Sequence, residues 1–119
     1  MANEPIKVTV DTVALAVQQG QLELLLIKRK HDPFKNLWAL PGGFIGDDDE
    51  TVEQAAAREL LEETNVGDVY LEQLFTFGDK GRDPRGRVVT VSYLALLRQD
   101  DLELKASSDA SGVAWWPVL

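Results

Sequence analysis

Glu50-Thr-Val-Glu-Gln-Ala-Ala-Ala-Arg58-Glu59-Leu60-Leu61-Glu62-Glu63-Thr-Asn65-Val66 is the stretch on which the reading of this chain turns. On a helix advancing about 100° per residue, Glu59, Glu62 and Glu63 fall within one sector roughly 100° wide. Three carboxylates so close repel one another unless something cationic sits among them. Hard oxygen donors converging on one point suit Mg²⁺ or Mn²⁺, and such an ion commonly brings a phosphate with it. The helix has a legible start. Thr51 can cap the backbone N–H of Gln54 while the Gln54 side chain reaches back. Val52, Ala56, Leu60 and Leu61 supply an apolar stripe, and the alanines at 55 to 57 permit close approach.

Working outward, the 119 residues make one domain, 1–119, large enough for a single core. A hydrophobic share of 45% and a charged share of 27% describe an ordinary globular chain. Twelve basic against twenty acidic residues give a formal net charge of −8. That balance argues against a nucleic-acid polymer as partner, because no broad basic face can neutralise its phosphates. A small nucleotide is still allowed, since metal ions can supply the missing positive charge. The absence of cysteine excludes disulfides, thiolate catalysis and zinc–thiolate sites. No signal-peptide pattern opens the chain and no apolar run approaches membrane-spanning length, so no membrane partner is expected and a cytoplasmic setting is the default.

Ile6 to Val17 reads as a strand, Gln18-Gln-Gly20-Gln as a hairpin turn and Leu22 to Arg29 as the returning strand. His31 to Asn36 is a loop that leads through Leu37-Trp38-Ala-Leu40 to Pro41-Gly42-Gly43. After the helix, Val66 to Phe77 reads as a strand, Gly78 to Gly86 as a turn-rich loop and Arg87 to Arg98 as the most β-like stretch. Asp100 to Gly112 reads as an acidic connection and Val113 to Pro117 as a short final strand. This order, with little regular βαβ alternation, predicts an α+β fold with a mixed or antiparallel sheet.

The quoted stretch resembles the Nudix box, the signature of the Nudix hydrolase family: Gly, five residues, Glu, seven residues, Arg-Glu-apolar-any-Glu-Glu-any-Gly-apolar. Gly43, Glu50, Arg58, Glu59, Leu60, Glu62, Glu63 and Val66 occupy its defined positions. Two departures are visible. Six residues rather than five separate Gly43 from Glu50, and Asn65 stands where the family has its late glycine. Asn tolerates the left-handed conformation that ends a helix, so the turn should survive. The flanking stretches Leu37 to Phe44 and Arg82 to Tyr93 look like the ADP-ribose pyrophosphatase branch.

The resemblance implies an α/β/α sandwich with a loop-helix-loop catalytic motif. The closing C-terminal helix usual in the family is expected to be absent from this chain, either because the sequence is cut before it or because one sheet face stays open, with a homodimer as a possible cover. It implies Mg²⁺- or Mn²⁺-dependent cleavage of ADP-ribose to AMP and ribose 5-phosphate. A nucleoside triphosphate pyrophosphohydrolase, or a non-catalytic ADP-ribose-sensing domain of a regulator, is the alternative. Glu59, Glu62 and Glu63 become the metal ligands, with Glu50 contributing through water or by pairing with Arg58. Glu59, Glu63 and Arg58 form the catalytic set, Arg58 by holding a carboxylate in place. The general base stays open between Glu59 and an acid of the late loop: Asp100, Asp101, Glu103 or Asp109. Gly42 and Gly43 would let backbone amides approach phosphates. Arg29, Arg82, Arg85 and Arg87 are candidates for the phosphates or terminal ribose. Phe77 is the candidate to stack on a base, as Trp38 and Tyr93 could, although a core role suits any one of the three. His31 reads as surface.

Overall fold

The computed structural model describes residues 5–46, 50–98 and 110–118. Among the described residues a seven-stranded sheet carries one helix, in the order β1 (Lys7–Gln18), β2 (Gln21–Arg29), β3 (Trp38–Ala39), β4 (Gly42–Phe44), α1 (Val52–Thr64), β5 (Glu72–Phe77), β6 (Val88–Leu96) and β7 (Ala110–Pro117). The main strand order is β3-β2-β1-β6-β5, with β4 added to β1 and β7 to β2. β1 and β6 run parallel and every other named pairing is antiparallel, so the expected mixed sheet of an α+β fold is what the chain forms.

The β1–β2 hairpin turns through Gln19 and Gly20, both at positive φ (52° and 76°), which matches the right-handed twist of the strands it joins. Alternation along β1 then sorts its residues between two faces. Val10, Ala14 and Ala16 share one apolar cluster with Leu25, Ala55, Ala56, Leu60, Tyr93 and Ala95, so this face carries α1. Thr9, Asp11, Val13 and Leu15 point to the other face, opposite Thr90, Ser92, Leu94 and Leu96 of β6.

The helix obeys its caps. Gln54 N donates to Thr51 Oγ1 at 3.1 Å and Thr51 N donates to Gln54 Oε1 at 2.9 Å. Asn65 closes the other end in the left-handed region (φ 69°), and its N–H donates to Leu61 O. Several expectations are corrected. Leu61 is not part of the buried stripe. It is 49% exposed, because Ala55, Ala56 and Leu60 already fill the contact with the sheet. Val66 to Leu71 is irregular, so the strand is confined to Glu72–Phe77. The last strand starts earlier, at Ala110, since its partner β2 is long enough to pair with it from Glu23 to Arg29. Two short strands, β3 and β4, lie in the stretch read as a connection.

Candidate active site

β4 and the helix face that looks toward it build the site. Gly42 and Gly43 pair with Asp11 and Val10 of β1. A Cβ on Gly42 would lie 2.2 Å from Val10 O, and one on Gly43 would lie 2.8 Å from the carboxylate carbon of Glu59. Glycine at 42 therefore lets β4 lie against the β1 backbone, and glycine at 43 leaves the Glu59 carboxylate in its place. Gly42 N donates to Glu63 Oε1 at 2.7 Å, which ties the helix carboxylate to the glycine strand. Glu59 and Glu63 are 8% and 3% exposed, an unusual degree of burial for carboxylates.

Arg58 answers the repulsion expected among the acids. Its Nε and Nη2 donate to the two carboxylate oxygens of Glu50 at 2.8 Å each. Its Nη1 reaches Glu59 at 2.9 Å and Glu62 at 3.3 Å, and Nη2 also donates to Phe44 O at 3.3 Å. The Arg58 guanidinium, helped by a hydrogen bond from Gly46 N, holds the Glu50 carboxyl down at about 2. The same bonds from Arg58, to Glu50 first and then Glu59, raise its own pKa above the ordinary arginine value. Glu50 and Glu62 thus meet on Arg58, while Glu59 and Glu63 line a cleft together with Arg29, His31, Gly42, Gly43 and Arg85. Among the described residues no three carboxylate or imidazole groups form a ready-made cation site. The donor chemistry nevertheless fits a hard divalent ion: two buried carboxylates one helical turn apart, facing glycines whose missing side chains leave room.

A second opening of about 250 Å³ shares Arg29, Gly42, Gly43 and Arg85 with the first and adds Thr9, Asp11, Arg82, Asp83 and Thr90. Arg82 Nη2 donates to Thr90 Oγ1 at 2.6 Å and to Val88 O at 3.1 Å, and Thr9 and Thr90 hydroxyls meet at 2.7 Å. Arg29 Nε donates to Pro33 O at 2.8 Å. Among the described residues neither Arg29 nor Arg82 is in an ion pair, although the chain carries twenty acids. Two guanidiniums held in place by neutral oxygens can meet an anion without first breaking a salt bridge. Arg85 differs. It is paired with Asp83 at 2.7 Å and lies over the Phe44 ring at 4.7 Å, and it pulls the Asp83 carboxyl down to about 2.

The structure thus gathers Glu59, Glu63, Gly42, Gly43, Arg29, Arg82 and Arg85 around one connected cleft. Arg87 lines a neighbouring surface depression with Ile6, Lys80, Pro84 and Asp83, the last of which also borders the second opening. Phe77 sits on the edge strand opposite Thr90, its ring against Phe75 at 4.9 Å. Trp38 meets Trp116 edge-on at 5.5 Å, and Tyr93 belongs to the core cluster, where burial and then the charge of Glu53 push its hydroxyl up. His31 is exposed, as its surface reading expects, and borders the carboxylate cleft. The late-loop acids Asp100, Asp101, Glu103 and Asp109 lie outside the described residues. Sequence reading missed Asp11 and its partner Ser92, which stand 81 positions apart with no local pattern joining them.

The family described as NUDIX domain matches residues 7–119. An ADPR responsive transcriptional repressor NtrR of Acinetobacter baylyi is 49% identical over 90 residues, covering 75% of this chain and 36% of that protein. An ADP-ribose pyrophosphatase of Methanocaldococcus jannaschii is 44% identical over 88 residues, 74% of this chain and 50% of that protein. The chain therefore spans only a third to a half of these relatives. Among solved structures, the NUDIX domain of Shewanella oneidensis NrtR complexed with ADP ribose is similar at TM-score 0.90 and 42% identity, covering 98% of this chain and 75% of that one. NrtR of the same organism complexed with a 27mer DNA is similar at TM-score 0.79 and 44% identity, but this chain, 92% of which is covered, matches just 50% of that one. The expectation of no nucleic-acid partner is qualified accordingly: it was drawn from the charge of these 119 residues alone, and a similar protein twice as long binds DNA.

Proposed function

The chain belongs to the NUDIX domain family, and on that footing we propose that it hydrolyses ADP-ribose to AMP and ribose 5-phosphate with a divalent cation, Mg²⁺ or Mn²⁺. One observation carries the reading. Two buried carboxylates, Glu59 and Glu63, face a glycine-lined cleft that shares Arg29, Gly42, Gly43 and Arg85 with the opening of Arg82, and among the described residues neither Arg29 nor Arg82 is in a salt bridge. A diphosphate needs that combination: cations of the protein for its non-bridging oxygens, and carboxylates to hold the ion that neutralises the rest. When bound, the ion lowers the pKa of water and withdraws charge from the phosphoryl group.

The residues of the chain have separate tasks. Glu59 and Glu63 hold the cation, with Glu62 recruited from Arg58. Arg58 fixes the Glu59 carboxylate through Nη1 and anchors the loop before α1 through Glu50. Gly42 N orients Glu63. Arg29, Arg82 and Arg85 bind the phosphate oxygens. Water adds to one phosphorus, the bridging P–O bond breaks, the bridging oxygen leaves on the other phosphate, and the proton passes to a carboxylate base or to solvent. The similarity to an ADP-ribose pyrophosphatase and to an ADP ribose complex favours ADP-ribose over a nucleoside triphosphate.

A second reading is favoured by the 49% identity to an ADPR responsive repressor: a domain that binds ADP-ribose and leaves it intact. One experiment separates the two. The purified chain is incubated with Mg²⁺ and, in turn, ADP-ribose, NADH, diadenosine polyphosphates and 8-oxo-dGTP, and the products are resolved. AMP from ADP-ribose, abolished by EDTA, is the expected outcome. ADP-ribose that binds but survives would replace the enzyme with a sensor.

A further inference from the structure

We infer that Asp11 is a specificity residue whose carboxylate accepts a hydroxyl of the ribose adjoining the bound diphosphate. The inference rests on the diphosphate reading of the cleft and adds to it the group that reads the sugar.

Asp11 lies on β1 at the position paired with Gly42, on the sheet face away from α1, and lines the second opening of the cleft. One of its oxygens, Oδ1, accepts from Ser92 Oγ at 2.5 Å. The parallel register that sets Asp11 beside Ser92 also sets Thr9 beside Thr90. Among the described residues Asp11 makes no ion pair within 4 Å, although the charge of Arg82 is felt at its carboxylate. Burial pushes the carboxyl above its ordinary pKa, against the opposing pull of Ser92 and Arg82. Ser92 donates to one oxygen of this half-buried carboxylate, and a ligand O–H would add a donor at the other.

The position limits which donor that can be. The two openings join at Arg29, Gly42, Gly43 and Arg85, where the diphosphate sits in the proposed reading. In ADP-ribose the group attached to either phosphate is a ribose. Its hydroxyls lie a few bonds from phosphorus, whereas the base amino group is a full sugar further away. A carboxylate bordering the phosphate site therefore meets sugar before base. Arg82, fixed by Thr90 and Val88, holds the adjoining phosphate and so aligns the sugar with Asp11.

The test is calorimetric titration in EDTA, so that nothing is turned over, of the wild type, Asp11→Asn and Ser92→Ala. The ligands are ADP-ribose and its analogues lacking one ribose hydroxyl. A hydrogen bond to a charged acceptor predicts that the wild type prefers ADP-ribose to one of the analogues by about ten- to a hundred-fold. Asp11→Asn should bind both nearly alike, while its melting temperature stays close to wild type. Ser92→Ala, which frees the carboxylate to wander, should lose part of the preference, and it stands in should Asp11→Asn fail to fold. A folded Asp11→Asn chain that still discriminates overturns the inference, as does a wild type that binds every analogue equally. Discrimination without any hydrolysis in Mg²⁺ would remove the proposed reaction and leave Asp11 in its role. Failure to bind any of these ligands in EDTA, and failure of a non-hydrolysable methylene-bridged ADP-ribose analogue to bind in Mg²⁺ as well, would remove the diphosphate reading and this inference together.

Discussion

Arg58 shows why Glu50, Glu59, Glu62 and Glu63 are not equivalent. It takes up the part-buried Glu50 and the exposed Glu62 and touches Glu59 with one nitrogen, while Glu63 is bound from the other side by Gly42 N. Glu63→Gln should therefore remove an ion ligand at the bottom of the cleft, with turnover falling by about two to three orders of magnitude, as when a single electrostatic stabiliser is deleted. Glu62→Gln should cost less, since Glu62 must first be drawn from Arg58. Steady-state kinetics of the pair check the ranking, and equal losses would mean that the ion rearranges the turn completely. Asp83 gives a prediction in pH. Its folded pKa, held near 2 by Arg85, is below the ordinary 3.8. The pair therefore stabilises fully above about pH 4, and its contribution fades as pH falls toward 2. Asp83→Asn should flatten the acid fall in melting temperature over that window. Glu59, Glu62 and Glu63 were legible because helical spacing puts them on one face, and Gly43, Glu50 and Arg58 through the resemblance to the Nudix box. Asp11 was not, because its meaning depends on Ser92 across a parallel pairing that no local pattern announces.

At the level of elements, β4 is the shortest piece with the largest consequence. Gly42 and Gly43 are neighbours in sequence, yet replacing them should fail in different ways. A methyl on Gly42 meets backbone, 2.2 Å from Val10 O, so Gly42→Ala must pull β4 off β1 and should lower the melting temperature markedly. A methyl on Gly43 meets the end of the Glu59 side chain at 2.8 Å, which can swing away. Gly43→Ala should keep most of its stability and lose activity, because the carboxylate it displaces is the proposed ion ligand. Thermal melts beside kinetics separate the two, and an active Gly43→Ala would detach Glu59 from the chemistry. The helix was legible to its caps because capping is local: Thr51 and Gln54 lie within a turn of each other, and Asn65→Ala should cost about 1 kcal/mol for forcing a side chain without a local hydrogen bond into the left-handed region. β3 and β4 were read as connection because strands of two and three residues exist only through partners on β2 and β1.

For the whole molecule the relevant quantity is charge held in one place. The net charge of −8 opposes compaction, and the described fold keeps two of the acids, Glu59 and Glu63, almost out of water. Such a chain carries a cost in the metal-free state that an ion would remove. Millimolar Mg²⁺ or Mn²⁺ should therefore raise the wild-type melting temperature, and ADP-ribose should add to it by mass action, by about 2.7 kcal/mol at a hundredfold excess over Kd. The Glu59→Gln/Glu63→Gln double variant should lose the response to the ion, and without metal it should melt no lower than wild type, because the repulsion and desolvation are gone. The comparison is a set of melts with and without EDTA. A double variant that melts clearly lower without metal would mean that the buried acids hold the fold together through Arg58 and Gly42, and that their arrangement serves the helix rather than an ion. A double variant that keeps its ion response would move the cation site elsewhere on this acidic surface.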